Sequence, residues 1–274
     1  MKTLPQSAAN YRKECSILKI NNNKYKNLIH VGLYGLSIVL WIVIWHFLAL
    51  HIGKEVFLPA PKKVFTVLIH DLLPSETFRL SVISSLSNIG YGFLIGLILG
   101  LALAILASLS FVIEAFLWFP VNVIKAVPVA SFVILSLLWI DSKDLAIFIP
   151  AIIVLPTIYV SVLTGIKETS GKLLDMAKIF KISFTKRIFS IYIPNCLPYF
   201  LSASSLAVGM AWKSGVAAEV IGLAKNTIGN ELYKSKLYFM TPELFAWTIV
   251  IVILSIICEL FIKAIIKTFN PKGA

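Results

Sequence analysis

Charge is the scarcest property of this chain. Asp, Glu, Lys and Arg make up only 14% of its 274 residues, while 58% are hydrophobic and the mean hydropathy is +0.89. A typical soluble domain carries about 25% charged residues, so a water-soluble enzyme built around one core is excluded and a membrane protein is indicated. Negative charge is scarcer still: 13 acidic residues stand against 25 basic ones, for a net charge of +12. Cysteine is also sparse. Cys15, Cys196 and Cys258 are odd in number and far apart, which argues for neither a disulfide framework nor a metal site; all three read as structural. The four histidines, His30, His46, His51 and His70, lie at or beyond the edges of the first hydrophobic run and read as interfacial or solvated, so no metal ligand set is expected. A phosphate-binding G-x-x-x-x-G-K-[ST] loop is missing as well, because the Gly-Lys pairs at 53 and 171 are followed by Glu and Leu. Without that loop the chain is not expected to hydrolyse ATP by itself. No nucleophile elbow occurs either.

What the chain has is apolar runs near the ~20 residues that a helix needs to cross a bilayer core. The first 30 residues are polar and basic, with Lys2, Arg12, Lys13, Lys19, Lys24 and Lys26. Residues 31–50 form a full-length run with no small-x-small cleavage signal close behind it, so it is expected to stay in place as a first transmembrane anchor. An extracytoplasmic connection over 51–85 follows, then a core over 86–267 and a tail over 268–274. Within the core, apolar runs cover about 86–109, 111–140, 145–163, 197–220 and 243–266. The 111–140 run is the ambiguous one: it is about 45 Å long as a continuous helix and contains Lys125 and Pro128. It either crosses twice, or crosses once and continues as a broken or re-entrant piece.

Charge favours one crossing. Cytoplasmic flanks collect Lys and Arg, and the 165–194 loop carries Lys167, Lys172, Lys178, Lys181, Lys186 and Arg187. One crossing puts this loop on the side of the basic N-terminus; two would put it outside. The expected fold is therefore an all-α polytopic membrane protein with six transmembrane helices, both termini in the cytoplasm and a cytoplasmic 165–194 loop. The inner segments, completed by Lys263, Lys267 and Lys272, hold only Glu14, Glu168 and Asp175 as acids, whereas the outer segments are close to balance. The basic excess thus reports topology in a lipid membrane, with no nucleic-acid partner.

Within the spans, Gly92, Gly96 and Gly100 recur every four residues, a smooth stripe where another backbone can approach closely. Packing within the chain is favoured over a subunit contact. Pro120, Pro128, Pro150 and Pro156 fall in the third and fourth runs; each removes a backbone donor and bends its helix, which suits either a cavity or tight packing. Ionisable residues inside spans are costly and usually face protein or water. Glu114 and Glu259 sit near membrane boundaries, while Lys125 and Lys213 lie deeper, beside Pro128 and Ser214-Gly215, with lining a pathway weighed evenly against snorkelling or a structural ion pair; Glu219 is a further candidate for a translocation pathway. Lys213 and Glu219 are six positions apart, on well-separated faces of one helix.

In the 165–194 loop, the apolar residues Leu173, Leu174, Met176, Ala177, Ile179 and Phe180 cover one broad face, while Lys172, Asp175, Lys178 and Lys181 recur at three-residue intervals. That is a short amphipathic helix. Composition leaves open whether it rests on lipid or inserts into a groove of a partner protein.

This loop resembles the signature of binding-protein-dependent ABC importer permeases: Glu-Ala-Ala, three residues, Gly, nine residues, Ile-x-Leu-Pro. Asp175-Met176-Ala177 matches the triplet, Lys181 stands at the glycine, and Ile191-Tyr192-Ile193-Pro194 closes the motif at the same spacing. Leu197 to Gly222 (LPYFLSASSLAVGMAWKSGVAAEVIG), FLPAPKKV at 57–64 and KAVPVASFV at 125–133 are similar to the branch that imports sulfonates, taurine, nitrate and thiamine precursors. The resemblance covers about 57–267. It implies the ABC type I importer permease fold in a multi-pass protein of the cell membrane. It also implies a coupling helix, Leu174, Asp175, Met176, Ala177, Ile179, Phe180 and Lys181, that docks on a separate ABC ATPase subunit. ATP would be bound by that partner and no cofactor by this chain; an extracytoplasmic solute-binding protein would deliver the solute, and a second permease copy would complete a homodimer. Four inward lysines, Lys125 and Lys213 of each copy, would then favour an anion. Lys181 departs from the family pattern: the glycine lets the loop turn left-handed, a conformation strained for lysine, so the break is expected either to shift to Ile182-Ser183 or to follow a longer first helix.

Two rivals belong to other classes. A secondary transporter would show inverted repeats with paired broken helices, and no convincing repeat is found. A membrane-embedded enzyme would need an acid/base or metal constellation near one interface, which the few histidines and carboxylates do not supply.

Overall fold

The computed structural model describes residues 32–269, so the basic segment at 1–30 and Lys272 lie outside the described residues. All described elements are helical. The chain divides into two units, Met1–Val64 and Phe65–Ala274.

In the first unit, α1 (Gly32–Ile52) is the expected anchor, long and apolar enough to cross a membrane. It ends at Gly53, which takes a left-handed conformation (φ +62°) and donates its N–H to Ala49 O (3.0 Å), the usual glycine stop. Trp45 Nε1 donates to Pro59 O (3.1 Å), folding the segment after the helix back along it, and Lys63 pairs with Glu55 at 2.5 Å. A short helix, α2 (Pro61–Thr66), begins on a proline, whose missing N–H would have had no partner in a first turn anyway.

The second unit opens with a π-helical turn, Val67–Leu72, followed by α3 (Glu76–Leu109), 34 residues long. Ser75 caps it by accepting the N–H of Phe78 (3.1 Å), and Glu76 in the first turn suits the helix dipole. The helix therefore starts about ten residues before its apolar run, inside the expected 51–85 connection, because a capped polar turn is helical without being hydrophobic. α4 (Phe111–Ala126) and α5 (Val129–Ser136) follow, bent by 104° at their junction. The cause is Pro128: the residue before a proline is driven out of the helical region, and Val127 is extended (ψ 130°). The 111–140 run is thus a bent pair, whose halves of 16 and 8 residues are each too short to span. The remaining helices are α6 (Ser142–Lys167), α7 (Gly171–Ile179), α8 (Phe184–Arg187), α9 (Ile193–Gly222), α10 (Ile228–Leu237) and α11 (Thr241–Phe269). A second π turn, Ile188–Tyr192, joins α8 to α9. Among the described residues, five helical stretches are long and apolar enough to cross a membrane, and the bent pair makes six if it counts as one crossing.

At the centre of this unit α6 packs between α3 and α9. Gly92, Gly96 and Gly100 of α3 lie directly on the carbonyls of Ile147, Ala151 and Leu155 of α6. The two four-residue series run in register, so the backbones approach without side chains between them. Gly215 of α9 closes the triple junction, where an added methyl would sit 2.6 Å from Ile89 Cγ1 and 3.1 Å from Pro150 Cγ. One turn further along α9, Val133, Leu145, Ile149 and Ala218 form a buried cluster that holds α5 against α6 and α9. α11 is fixed through its first half, where Trp247 stacks on Phe78 of α3 at 5.6 Å.

Candidate functional site

The residues singled out in the 165–194 loop form one surface feature. α7 is amphipathic but nearly free of the rest of the chain. Leu174 is half-buried and Ala177 is 0% exposed, whereas Leu173, Met176, Phe180 and Ile179 are 47%, 52%, 71% and 76% exposed. Leu173, Met176 and Phe180 follow the i, i+3, i+7 spacing of one helix face, so an apolar stripe points away from the protein. Ala177 faces inward and Leu174 lies beside it. Asp175 pairs with Lys178 at 3.3 Å with both side chains about 70% exposed, which contributes little in water and leaves Lys172, Lys181 and Lys186 as an exposed basic surround.

α7 ends in a Schellman cap, and its left-handed residue is Lys181 (φ 50°). Ile182 N–H donates to Ala177 O (2.9 Å) and Lys181 N–H to Lys178 O (3.0 Å), the pair of bonds that defines the motif. The break therefore neither shifts to Ile182-Ser183 nor follows a longer helix. Two backbone bonds and the burial of Ala177 outweigh the ~1–2 kcal/mol cost of a left-handed lysine.

Both ends of the loop are held. Asn195, in the first turn of α9, donates its Nδ2 to Gly165 O (3.0 Å) and to Thr169 Oγ1 (3.1 Å) at the end of α6. Gly165 must be small there, since an added methyl would lie 2.9 Å from the Tyr199 ring. Lys167 binds Glu114 of α4 at 2.5 Å. The end of α6 is thus joined to the starts of α4 and α9, and the loop hangs from that junction. Sequence reading placed Glu114 only at a membrane boundary and passed over Asn195 and Thr169. Both ties link residues distant in sequence, 53 apart for Lys167 and Glu114, and periodicity within a helix carries no trace of them.

The three pathway candidates separate into two kinds. Lys125, in the last turn of α4, and Lys213, in α9, are exposed and have no carboxylate partner among the described residues. Lys213 shares a face of α9 with Ser202, Leu206 and Gly209 (i, i+4, i+7, i+11), and nothing lies within 4 Å of a methyl placed at Gly209. This is an open stripe of mostly small residues ending in a cation. Glu219, by contrast, is 0% exposed and held by Ser85 Oγ (2.8 Å) and the N–H of Gly229 (3.0 Å).

The family described as binding-protein-dependent transport system inner membrane component matches residues 92–273. A Bacillus subtilis (strain 168) protein provisionally named aliphatic sulfonates transport permease protein SsuC is 25% identical over 224 residues, which cover 81% of this chain and 80% of that protein. The taurine transport system permease protein TauC of Escherichia coli (strain K12) is 23% identical over 251 residues, 89% of each chain. The nitrate import permease protein NrtB of Synechococcus elongatus is 26% identical over 198 residues, 69% of this chain and 71% of its own. Among solved structures, a chain of an amino acid ABC transporter with histidines superposes with a TM-score of 0.55 over 71% of this chain and 94% of that one, at 19% identity; the two share a fold.

Proposed function

The chain belongs to the binding-protein-dependent transport system inner membrane components and is the permease subunit of an ABC importer; from that premise we propose that it works as a homodimer passing a small anion of the sulfonate, taurine or nitrate type. Two ATPase subunits dock on α7 from the cytoplasm, where both termini also lie, and an extracytoplasmic solute-binding protein delivers the anion from the other side. The observation that carries the docking is the outward apolar stripe Leu173, Met176 and Phe180 on a loop otherwise edged with lysine. An exposed apolar stripe on a short helix is what a groove on a partner accepts. Since the loop is anchored to α4, α6 and α9 through Glu114, Gly165, Thr169 and Asn195, closure of the ATPase pair would move those helices together, giving alternating access. The open face of α9 with Lys213 supplies the lining of the pathway, and Lys125 a second positive charge.

Replacing Met176 with Glu puts a charge in the centre of the stripe without touching the buried Ala177. The ATPase subunit is expected to stop co-purifying with Met176→Glu while the permease keeps its thermal stability in detergent. Unchanged co-purification would reject the stripe as the docking face.

A further inference from the structure

Glu219 is fully buried, unlike the exposed Lys125 and Lys213. It sits in the last turn of α9, and its Oε2 accepts from Ser85 Oγ of α3 (2.8 Å) and from Gly229 N–H of α10 (3.0 Å). Ser85 Oγ in turn accepts from Ile228 N–H (2.9 Å), and Thr227 Oγ1 accepts from Asn230 N–H (3.3 Å). The N–H groups of Ile228, Gly229 and Asn230, which have no partner within the helix, are therefore satisfied, two of them by side chains of spanning helices. The positive end of the α10 dipole faces a carboxylate, the favourable sign. Gly229 is needed for this approach, because a methyl there would overlap Glu219 Cβ and the backbone N of Val220.

The arrangement is costly as mere packing. Glu219 Oε1 and Ser81 Oγ, one turn from Ser85 on α3, are buried with no partner, and an apolar side chain of similar volume would fill the same space without that penalty. What an apolar residue would not supply is a directional tie among three helices. α9 runs from Ile193, beside the cytoplasmic loop, to Gly222, beside α10, a rod of about 45 Å. At its far end α10 leads into Lys236, Leu237, Tyr238, Phe239 and Met240, all exposed.

We propose that Glu219 is a positioning residue of the transport cycle: it pegs α10 to α3 and α9, so that displacement of α9 at the cytoplasmic loop carries the helix at the opposite end with it. This rests on the docking of the ATPase at α7, and the two ideas fail in different ways.

The test is amide hydrogen exchange on the full complex of permease and ATPase subunits in lipid nanodiscs, without nucleotide and trapped with ATP and orthovanadate. In the wild type, trapping changes exchange in both α9 and α10. In Glu219→Ala, α9 keeps its response while α10 loses its own and exchanges about tenfold faster in both states, the scale expected for losing a charge-assisted bond. Glu219→Gln, whose amide oxygen still accepts from Gly229, recovers most of the α10 response. A nucleotide-dependent α10 in Glu219→Ala, or an unresponsive α10 in the wild type, overturns the peg. Loss of the α9 response in Glu219→Ala as well would mark a general folding role and overturn it too. If the wild-type complex does not assemble, the docking reading has failed and the peg falls with it, before any exchange is measured.

Discussion

At the scale of single residues, the loop turns on a lysine. Lys181 holds φ at 50°, a region that costs an L-residue with a side chain roughly 1–2 kcal/mol, yet the cap formed by Ile182 N–H on Ala177 O and Lys181 N–H on Lys178 O is complete. Lys181→Gly removes the strain and leaves both bonds, at the expense of some backbone entropy in the unfolded chain. The net expectation is a loop more stable by about 1 kcal/mol, read as a roughly five-fold slower exchange of the Ile182 amide. Faster exchange in Lys181→Gly would mean that the lysine side chain itself holds the turn. The same conformation recurs at Leu223 and Phe239, where α9 and α10 end. In each case the N–H of the following residue reaches back five positions, Ala224 to Glu219 O and Met240 to Ser235 O. Capping geometry at these positions prevails over residue preference, so the break expected to move away from Lys181 stays there, and Leu223 and Phe239 carry no glycine that would mark them in the sequence.

At the scale of helices, the decisive contact is the glycine stripe. A methyl at Gly96 would lie 2.5 Å from Ala151 O and 2.8 Å from Val154 Cβ, whereas one at Gly90 meets nothing within 4 Å. Gly96→Val forces α3 off α6 and is expected to destabilise the permease by about 1–3 kcal/mol or more. Gly90→Ala is expected to be neutral or stabilising by up to about 1 kcal/mol, through helix propensity alone. Thermal unfolding of the two variants in detergent checks the contrast, and equal midpoints would show that α3 and α6 do not pack as closely as described. This stripe was legible in the sequence because its spacing is that of a helix, as were the five long apolar helices and the amphipathic α7. The first turns of α3 were not, since the segment from Glu76 to Ser85 is rich in polar residues and a hydropathy reading begins where lipid does. The bend at Pro128 was visible as a proline, but its 104° angle depends on α5 being drawn onto Leu145, Ile149 and Ala218, contacts that no local pattern encodes. Glu219 illustrates the limit: the sequence marks it as an expensive residue in a span, but Ser85 is 134 positions away, and the same cost fits a pathway or a tie.

At the scale of the whole molecule, the proposal of an anionic solute rests on two cations without a carboxylate partner. Lys125 and Lys213 are exposed in the single chain and have no carboxylate partner among the described residues, unlike Lys167, which is neutralised by Glu114 at 2.5 Å. A lone charge in a membrane protein is retained where it faces water or a partner, and in the proposed homodimer the open face of α9 ending at Lys213 would be such a place. With an effective dielectric of 20, one lysine about 12 Å from a monovalent anion stabilises it by about 1.4 kcal/mol, a tenfold effect on occupancy. Replacing both lysines with methionine keeps the apolar stems and removes four charges from a homodimer. ATP-driven uptake of taurine or nitrate into proteoliposomes is therefore expected to fall by about tenfold or more at subsaturating solute, with the ATPase subunits still bound to α7. Raised ionic strength is expected to weaken uptake by the wild type more than by the double variant, because screening acts only where the charge remains. Uptake unchanged in Lys125→Met/Lys213→Met would remove the anion from the proposal and leave the permease with a neutral solute, since nothing else on the open face of α9 distinguishes charge.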